Sequence, residues 1–165
     1  MPVYTVLDNL RSAFNVGSIV RTADSALLDT IYMCGYTAAP PHKKLEKTAL
    51  GALDYVPCEH RLTPHDAVEE LKSRNIPVFA FETTNQSKKI WDISFPMPLA
   101  LVLGNEALGI SNDILTEADE LVEIPMFGFK NSINVAVAFG IIVAEIQRQH
   151  WNKYPHELMI SYETK

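Results

Sequence analysis

Short apolar segments alternate along the chain with longer segments in which apolar residues recur at helical spacing. The apolar segments predict strands at residues 3–7, 30–34, 54–59, 76–81, 99–103 and 121–124. The helically spaced segments predict helices at residues 15–28, 63–74, 112–118 and 131–151. Alternation of this kind is typical of an α/β fold, here a mostly parallel sheet flanked by helices.

Proline and capping residues mark the limits of several elements. Thr63-Pro64 places a capping side chain before a proline, which is a common start of a helix. Residues 38–41 end in two prolines and cannot continue regular structure, so residues 42–53 are predicted to form a basic, partly helical loop. Because no linker divides the chain, we predict one domain over residues 1–154 and a loose tail over residues 155–165.

Composition narrows the class of protein. A chain of 165 residues with 47% hydrophobic residues can bury the core of a single domain. No signal peptide is recognised, and Asn134 and Glu145 interrupt the closing apolar helix, so no membrane span is predicted. Cys34 and Cys58 lie far apart and the histidines show no ligand spacing, which indicates neither a disulfide framework nor a metal site. These features predict a cytoplasmic protein.

The charge pattern bears on a nucleic-acid partner. A formal net charge of −6 argues mildly against one, because nucleic-acid binders usually carry a basic surface. The charges are unevenly distributed, however. Acidic residues gather at positions 69–70 and 117–123, whereas the N-terminal third carries Arg11, Arg21, Lys43, Lys44 and Lys47. This asymmetry leaves room for a local basic patch on an acidic protein.

The segment from Gly104 to Gly109 follows a predicted buried strand, where α/β proteins commonly place ligand-binding loops. Its glycine spacing resembles that of a phosphate-binding loop, but Ile110 stands where the lysine belongs and Glu106 would repel phosphate. A ligand without phosphates fits better, and S-adenosylmethionine, with its cationic sulfonium, is such a ligand. The alternative is a tight turn in which Glu106 caps a helix or is solvated.

The start of the closing helix carries Asn131-Ser132-Ile133-Asn134. Asn and Ser side chains commonly cap helices, which is one explanation for Ser132 and Asn134. The other starts from the position of Asn134, which falls inside the first turn of a predicted helix that otherwise excludes polar groups. A buried amide there needs a partner, and a bound ligand would supply it.

Three sequence motifs resemble those of one enzyme family, in the same order. Residues 15–23, Asn-Val-Gly-Ser-Ile-Val-Arg-Thr-Ala, resemble its first motif, and residues 101–106 with Gly109-Ile110-Ser111 resemble its second. Residues 124–135, which include Ile-Pro-Met and Ser-Ile-Asn-Val, resemble its third. The family is that of the SpoU/TrmH RNA ribose 2′-O-methyltransferases, within the SPOUT superfamily. The three motifs extend over almost the whole chain.

The resemblance implies a fold and a cofactor. Members of this family form a deep trefoil knot in the C-terminal part of the chain and bind S-adenosylmethionine in a cleft formed by loops of the knot. They are homodimers, and the largely apolar closing helix is expected to bury one face against a second copy. Carried over to this sequence, the cofactor contacts are Glu82, Thr83, Leu103, Gly104, Ile124, Met126, Ser132 and Ile133.

The resemblance also implies which residues carry the reaction. Arg21 matches the proposed catalytic residue of the family, and Asn15 matches a residue near the transferred methyl group; Asn15 is also expected to cap its helix. Glu106, Ser132 and Asn134 complete the expected catalytic set. From the sequence alone, Arg21 is equally explained as a solvated or ion-paired side chain. Because arginine is essentially never deprotonated, it would act either as an unusually assisted base or by stabilising charge on the ribose oxygen.

The RNA contacts expected from the sequence are Arg11, Arg21, Lys43, Lys44 and Lys47. Arg11 precedes the first helix and the three lysines lie in the basic loop, where they could grip phosphates; ordinary solvated side chains are the alternative. The sequence thus predicts a methyltransferase that modifies a ribose 2′-hydroxyl of tRNA or rRNA. A non-catalytic RNA-binding module of the same fold and an α/β enzyme with another adenosine-containing ligand are the competing interpretations.

Overall fold

Seven strands form one parallel sheet at the centre of the molecule, in the order β3-β2-β1-β6-β4-β7-β5. The computed structural model describes residues 1–153, so the tail predicted at residues 155–165 lies outside the described part. The strands are β1 Val3–Asp8, β2 Thr30–Cys34, β3 Cys58–Arg61, β4 Val78–Phe81, β5 Lys88–Lys89, β6 Leu99–Leu103 and β7 Glu120–Glu123. The predicted α/β class with a parallel sheet flanked by helices is confirmed.

Helices cover both faces of the sheet. They are α1 Ala13–Ser25, α2 Lys43–Ala49, α3 Pro64–Ser73, α4 Asn112–Glu117 and α5 Val135–His150. Successive side chains of a strand point to opposite faces. In β6, accordingly, Leu101 joins the core under α1, α2 and α5, whereas Val102 joins the core under α3 and α4. Burial on both faces explains why the central strands are continuous apolar segments rather than alternating ones.

The first helix begins earlier than predicted. Ser12, not Asn15, is its N-cap: the Ser12 hydroxyl accepts a hydrogen bond from the Asn15 N–H at 3.3 Å. The predicted capping role of Asn15 is therefore wrong, and its side chain is free for other contacts. Gly17 then lets α1 approach α2 closely, because a Cβ at Gly17 would lie 2.6 Å from the Cβ of Thr48.

Two other segments differ from the sequence prediction, and a third agrees with it. The strand predicted at residues 54–59 is β3 at Cys58–Arg61, an edge strand with few apolar side chains to mark it. The loop at residues 42–53 was predicted to be partly helical, and it contains the helix α2, whose N-cap is His42. The short strand β5 was not predicted, because its two residues are exposed lysines that carry no apolar pattern.

The closing helix begins later than predicted, at Val135. Asn134 is its N-cap: the Oδ1 atom accepts hydrogen bonds from the N–H groups of Ala136 at 2.9 Å and Val137 at 3.3 Å. The prediction of a buried amide inside the first turn is therefore wrong, since Asn134 is exposed and its oxygen satisfies the helix. Residues 131–133 belong to the preceding loop.

Candidate active site

A cavity of about 650 Å³ opens at the carboxyl ends of β4, β6 and β7. Parallel sheets commonly bind ligands at this edge, where loops from several strands converge. The loop after β6 forms one wall of the cavity and residues 131–134 form another. All eight residues that the sequence assigned to the cofactor line it: Glu82, Thr83, Leu103, Gly104, Ile124, Met126, Ser132 and Ile133. The structure thus brings these residues together, and their contact with a cofactor stays a prediction.

The loop after β6 is a tight turn. Asn105 and Gly109 exchange two backbone hydrogen bonds of 3.0 and 2.9 Å. A Cβ at Gly104 would lie 2.3 Å from the carbonyl carbon of Gly109, and Gly109 has a φ of +71°, so both positions require glycine. The tight turn inferred as an alternative from the sequence is therefore present, and the same turn also lines the cavity.

Glu106 fastens this turn to the start of α1. Its carboxylate accepts hydrogen bonds from the N–H groups of Arg11 at 2.8 Å and Ser12 at 3.1 Å, and from the side-chain amide of Asn15 at 2.9 Å. Partial burial raises the pKa of Glu106, but the donors from Arg11, Asn15 and Ser12 outweigh it and lower the pKa below its ordinary value. Glu106 is therefore an ionised acceptor at neutral pH.

Asn15 links this contact to the closing helix. Its Oδ1 atom accepts a hydrogen bond of 3.1 Å from the Nδ2 atom of Asn134, whose own oxygen caps α5. Glu106, Asn15 and Asn134 thus form a continuous hydrogen-bonded chain, and Glu106 and Asn134 at its two ends line the cavity. The structure brings together three of the five residues predicted to be catalytic. Ser132 lies two residues before Asn134 on the cavity wall.

Two buried residues that the sequence analysis did not single out, Asp8 and Asn105, make further hydrogen bonds beside this site. Buried Asp8, at the end of β1, accepts hydrogen bonds from the N–H and the hydroxyl of Ser111 at 2.9 and 3.0 Å. Buried Asn105 donates to the carbonyl of Asn9 and to the hydroxyl of Tyr36, both at 2.6 Å. A polar residue at the end of an otherwise apolar strand, as at Asp8, was the available sequence signal.

The cavity is acidic. Three carboxylates, from Glu82, Glu106 and Glu123, line it, and no lysine, arginine or histidine does so within the described residues. The Glu82 carboxylate accepts hydrogen bonds from the N–H groups of Thr83 and Ile110, each at 3.1 Å. A site of this charge favours a cation and repels phosphate.

The predicted cationic residues lie outside the cavity. Arg21 is exposed on α1, six residues beyond Asn15, and its side chain makes no hydrogen bond or ion pair with residues 1–153. Arg11 is exposed beside the turn, with only its backbone N–H bound to Glu106. The three lysines of α2, Lys43, Lys44 and Lys47, are exposed on a helix that packs against α1. A single chain therefore does not bring Arg21 to the cavity.

The described residues provide neither a reactive thiol nor a metal site nor a membrane-spanning helix. Burial raises the pKa of Cys34 to about 12 and that of Cys58 to about 11, so neither is a thiolate nucleophile at neutral pH. Within residues 1–153, no group of three or more His, Cys, Asp and Glu side chains could hold a metal ion. No helix in that range is long and apolar enough to cross a membrane.

Comparison with known proteins gives a consistent result. The model of the SpoU rRNA Methylase family matches residues 2–144. A tRNA (guanosine(18)-2'-O)-methyltransferase from Aquifex aeolicus is 34% identical over 147 residues, which is 88% of this chain and 69% of that protein.

Solved structures show the same relationship. A TrmH/SpoU tRNA modifying enzyme of A. aeolicus matches with a TM-score of 0.83 at 32% identity, over 92% of this chain and 76% of the other. An AdoMet-bound rRNA methyltransferase from Sinorhizobium meliloti matches with a TM-score of 0.83 at 30% identity, over 88% of this chain. This chain spans only 56% of that longer protein. AdoMet is S-adenosylmethionine, so the predicted cofactor is confirmed for the family. The chain belongs to the SpoU rRNA Methylase family.

Proposed function

We propose that this chain transfers the methyl group of S-adenosylmethionine to a ribose 2′-hydroxyl of tRNA or rRNA. One observation carries the proposal. The eight residues assigned to the cofactor line one cavity, and Glu106 and Asn134, which line the same cavity, are joined by hydrogen bonds through Asn15. Family membership supports RNA methyltransfer, and the ribose acceptor follows from the resemblance of the three motifs.

The charge of the cavity supports this cofactor. S-adenosylmethionine carries a cationic sulfonium and an ammonium group, which the carboxylates of Glu82, Glu106 and Glu123 attract. ATP and NAD carry phosphates, which the same carboxylates repel. The cofactor supplies an electrophilic methyl group. Leu103, Ile124 and Ile133 offer apolar contacts for an adenine ring, and Gly104 lines the same cavity.

The protein's part in the reaction is positioning and charge stabilisation. Methyl transfer needs an in-line approach of the ribose oxygen to the methyl carbon, so holding both reactants in place supplies much of the rate. Asn15 and Asn134 are fixed to each other and are assigned to hold the ribose at the cavity mouth. Arg21 remains cationic and is assigned to stabilise the charge that develops on the ribose oxygen.

A homodimer supplies Arg21 in this proposal. Arg21 and Phe14 lie seven residues apart and so share one exposed face of α1. Helix α5 packs against α1 and exposes Val137 and Ile141. A second copy packed on this surface would cover the apolar side chains and bring Arg21 of one subunit to the cavity of the other.

Sedimentation of a Val137→Glu, Ile141→Glu variant should show monomers, and these should have no methyltransferase activity. The control variant Leu62→Glu should remain dimeric. A folded, fully active monomer would contradict the proposal.

Three finer features also belong to the proposal. The resemblance supports a trefoil knot around the third motif, and a tRNA or rRNA substrate supports a cytoplasmic location.

Arg11 and the three lysines of α2 are assigned to RNA phosphates. Replacing Lys43, Lys44 and Lys47 together with alanine should weaken RNA binding and reduce its dependence on salt. An unchanged affinity and an unchanged salt slope would remove α2 from the RNA site.

Two experiments test the function directly. Calorimetry should show binding of S-adenosylmethionine and S-adenosylhomocysteine and none of ATP or NAD; binding of ATP or NAD alone would indicate a different adenosine-containing ligand. Mapping ribose methylations in total RNA from cells with and without the gene should then reveal a lost 2′-O-methyl site. Cofactor binding without any lost site would favour the non-catalytic RNA-binding module.

A further inference from the structure

A second cavity, of about 260 Å³, opens off the first one. The two cavities share five lining residues: Thr83, Glu123, Ile124, Met126 and Asn131. The smaller one, here called the annex, is additionally lined by residues of the loop 125–130, among them Phe129 and Lys130. The main cavity and the annex are therefore one continuous depression with two compartments.

The loop beside the annex exposes two aromatic rings. Phe127 is 94% exposed and Phe129 is 107% exposed, with Gly128 between them. Single exposed apolar residues are common on protein surfaces, but two fully exposed phenylalanines within three residues at the rim of a cavity indicate a binding surface. No hydrogen bond ties residues 125–133 to the rest of the described chain. The rings are thus available to a ligand.

Charge separates the annex from the main cavity. Lys130 lines only the annex, Glu82 and Glu106 line only the main cavity, and Glu123 lines both. A polyanion such as RNA is repelled from the acidic compartment and attracted to Lys130. Aromatic rings beside a cation are the features by which proteins hold unstacked RNA bases, because every base can stack on a ring while its phosphate meets the cation.

We propose that the annex receives the base of the nucleotide that is methylated. This inference rests on the proposed function, which places the ribose of that nucleotide at Asn15 and Asn134. Asn134 lies on the same cavity wall as Asn131, which lines both compartments. The base is bonded to this ribose and must lie next to it, and the compartment that adjoins the main cavity is the annex. Phe129 stacks on this base, Phe127 stacks on a neighbouring base, and Lys130 contacts a phosphate.

A double variant with Phe127→Leu and Phe129→Leu tests the inference. Leucine keeps an apolar side chain but removes the ring, so stacking is lost while an apolar contact with protein is largely kept. The matched control is Leu62→Ala, which alters an equally isolated apolar residue, 81% exposed, at the end of β3. Binding is measured with fluorescent octaadenylate and with an abasic oligoribonucleotide of the same length. Methyl incorporation into bulk tRNA and rRNA is measured in parallel.

The wild type is expected to bind octaadenylate more tightly than the abasic oligomer. The double variant should lose about tenfold or more in affinity for octaadenylate, with little change for the abasic oligomer. Cofactor affinity and sedimentation should match those of the wild type and of Leu62→Ala. The kcat/KM for methylation of RNA should fall by a similar factor.

Three results would overturn the inference. Equal binding of both oligomers by the wild type would mean that bases are not held. A parallel loss of cofactor affinity would assign the annex to the cofactor, and dissociation of the double variant would assign the loop to the dimer interface. If the wild type methylates none of the RNA offered, the proposed function is in doubt, while the two oligomers still decide whether the loop holds bases.

Discussion

The two walls of the cavity are built in opposite ways. On one side, the turn after β6, the start of α1 and Asn134 are joined by the carboxylate of Glu106 and the amide of Asn15. On the other side, residues 125–133 have no hydrogen bond to the rest of the described chain and expose two phenylalanines. The first wall is fixed before any ligand arrives, and the second can adapt to one.

This difference corresponds to a division of labour in the proposed reaction. A methyl acceptor must be held within a fraction of an ångström of its reactive position, which requires rigid supports. An RNA loop presents its bases in varied arrangements, which a free loop can accommodate at some cost in ordering. The first prediction below removes the cation that the fixed wall is proposed to work with, and the others weaken the fixed wall itself, in order of decreasing effect.

Arg21→Ala should have the largest effect. Arg21 is exposed on α1 and supports neither wall, so its removal should leave the fold and cofactor affinity unchanged. Loss of a cation that stabilises the transition state should reduce methyl transfer by about 100-fold or more. Incorporation of labelled methyl groups measures the rate and calorimetry measures the affinity. Ser25→Ala, one turn further along the same exposed face, serves as the control. Retained activity in Arg21→Ala would dismiss Arg21 as a catalytic residue.

Gly17→Ala should displace the helix on which the fixed wall depends. A Cβ at this position would lie 2.6 Å from Thr48 and 3.0 Å from the carbonyl oxygen of Leu45, so α1 must move away from α2. Overpacking of this kind costs about 1–3 kcal/mol in the free energy of unfolding, measured by urea denaturation.

The chain offers a matched control for this change. Gly140 lies in α5, and a Cβ there would meet nothing within 4 Å. In the monomeric Val137→Glu, Ile141→Glu background, where no second copy covers α5, Gly140→Ala should therefore stabilise the protein by about 0.5–1 kcal/mol, because alanine is the better helix former. Gly17→Ala is compared in the same background. Replacing glycine with alanine should thus lower the free energy of unfolding at position 17 and raise it at position 140. Destabilisation at both would show that packing at Gly17 is not the cause.

Asn134→Ala should weaken the fixed wall locally. It removes the N-cap of α5, which costs about 1 kcal/mol. It also removes the hydrogen bond to Asn15, so a double-mutant cycle with Asn15→Ala should give a coupling of about 0.5–1 kcal/mol. Ser132→Ala, in the free loop, should leave the free energy of unfolding nearly unchanged. Strict additivity of Asn15→Ala and Asn134→Ala would mean that α1 and the start of α5 are not coupled through these amides.

The sequence predicted the framework well, because burial on both faces makes the strands of a parallel sheet distinct. The strand at residues 99–103 and the helix capped by Thr63 follow directly from apolar periodicity and capping chemistry. The edge strand β3 was misplaced, since an exposed edge does not need an apolar pattern. The start of α5 was misplaced because the apolar pattern of Ile133 and Val135 runs through the cap, and only the backbone at Asn134 shows where the helix begins.

The site was predicted unevenly for a related reason. The eight residues that motif resemblance assigned to the cofactor all line the cavity, because each lies at the end of a strand or in a recognisable loop. The link through Asn15 between Glu106 and Asn134 joins positions more than ninety residues apart, and no local pattern encodes it. The isolation of Arg21 from the cavity of its own chain is likewise a property of tertiary structure. Motif spacing alone could not reveal it.

The smallest expected effect concerns the pH dependence of the fixed wall. The pKa of Glu106 in the folded protein lies below its ordinary value of 4.5. As pH falls, the carboxylate of Glu106 is therefore protonated at a higher pH in the unfolded chain than in the folded protein. The stability that Glu106 contributes is therefore complete above about pH 5 and declines as pH falls through the folded-state pKa. Glu106→Gln removes this titration. It should lower the free energy of unfolding at neutral pH. The difference in free energy of unfolding between the variant and the wild type should then decrease steadily towards pH 3, as measured by urea denaturation.

Glu69→Gln, on the exposed side of α3, should show no comparable decrease. If the Glu106→Gln gap is instead constant with pH, the carboxylate charge does not hold the start of α1, and shape alone fixes this wall.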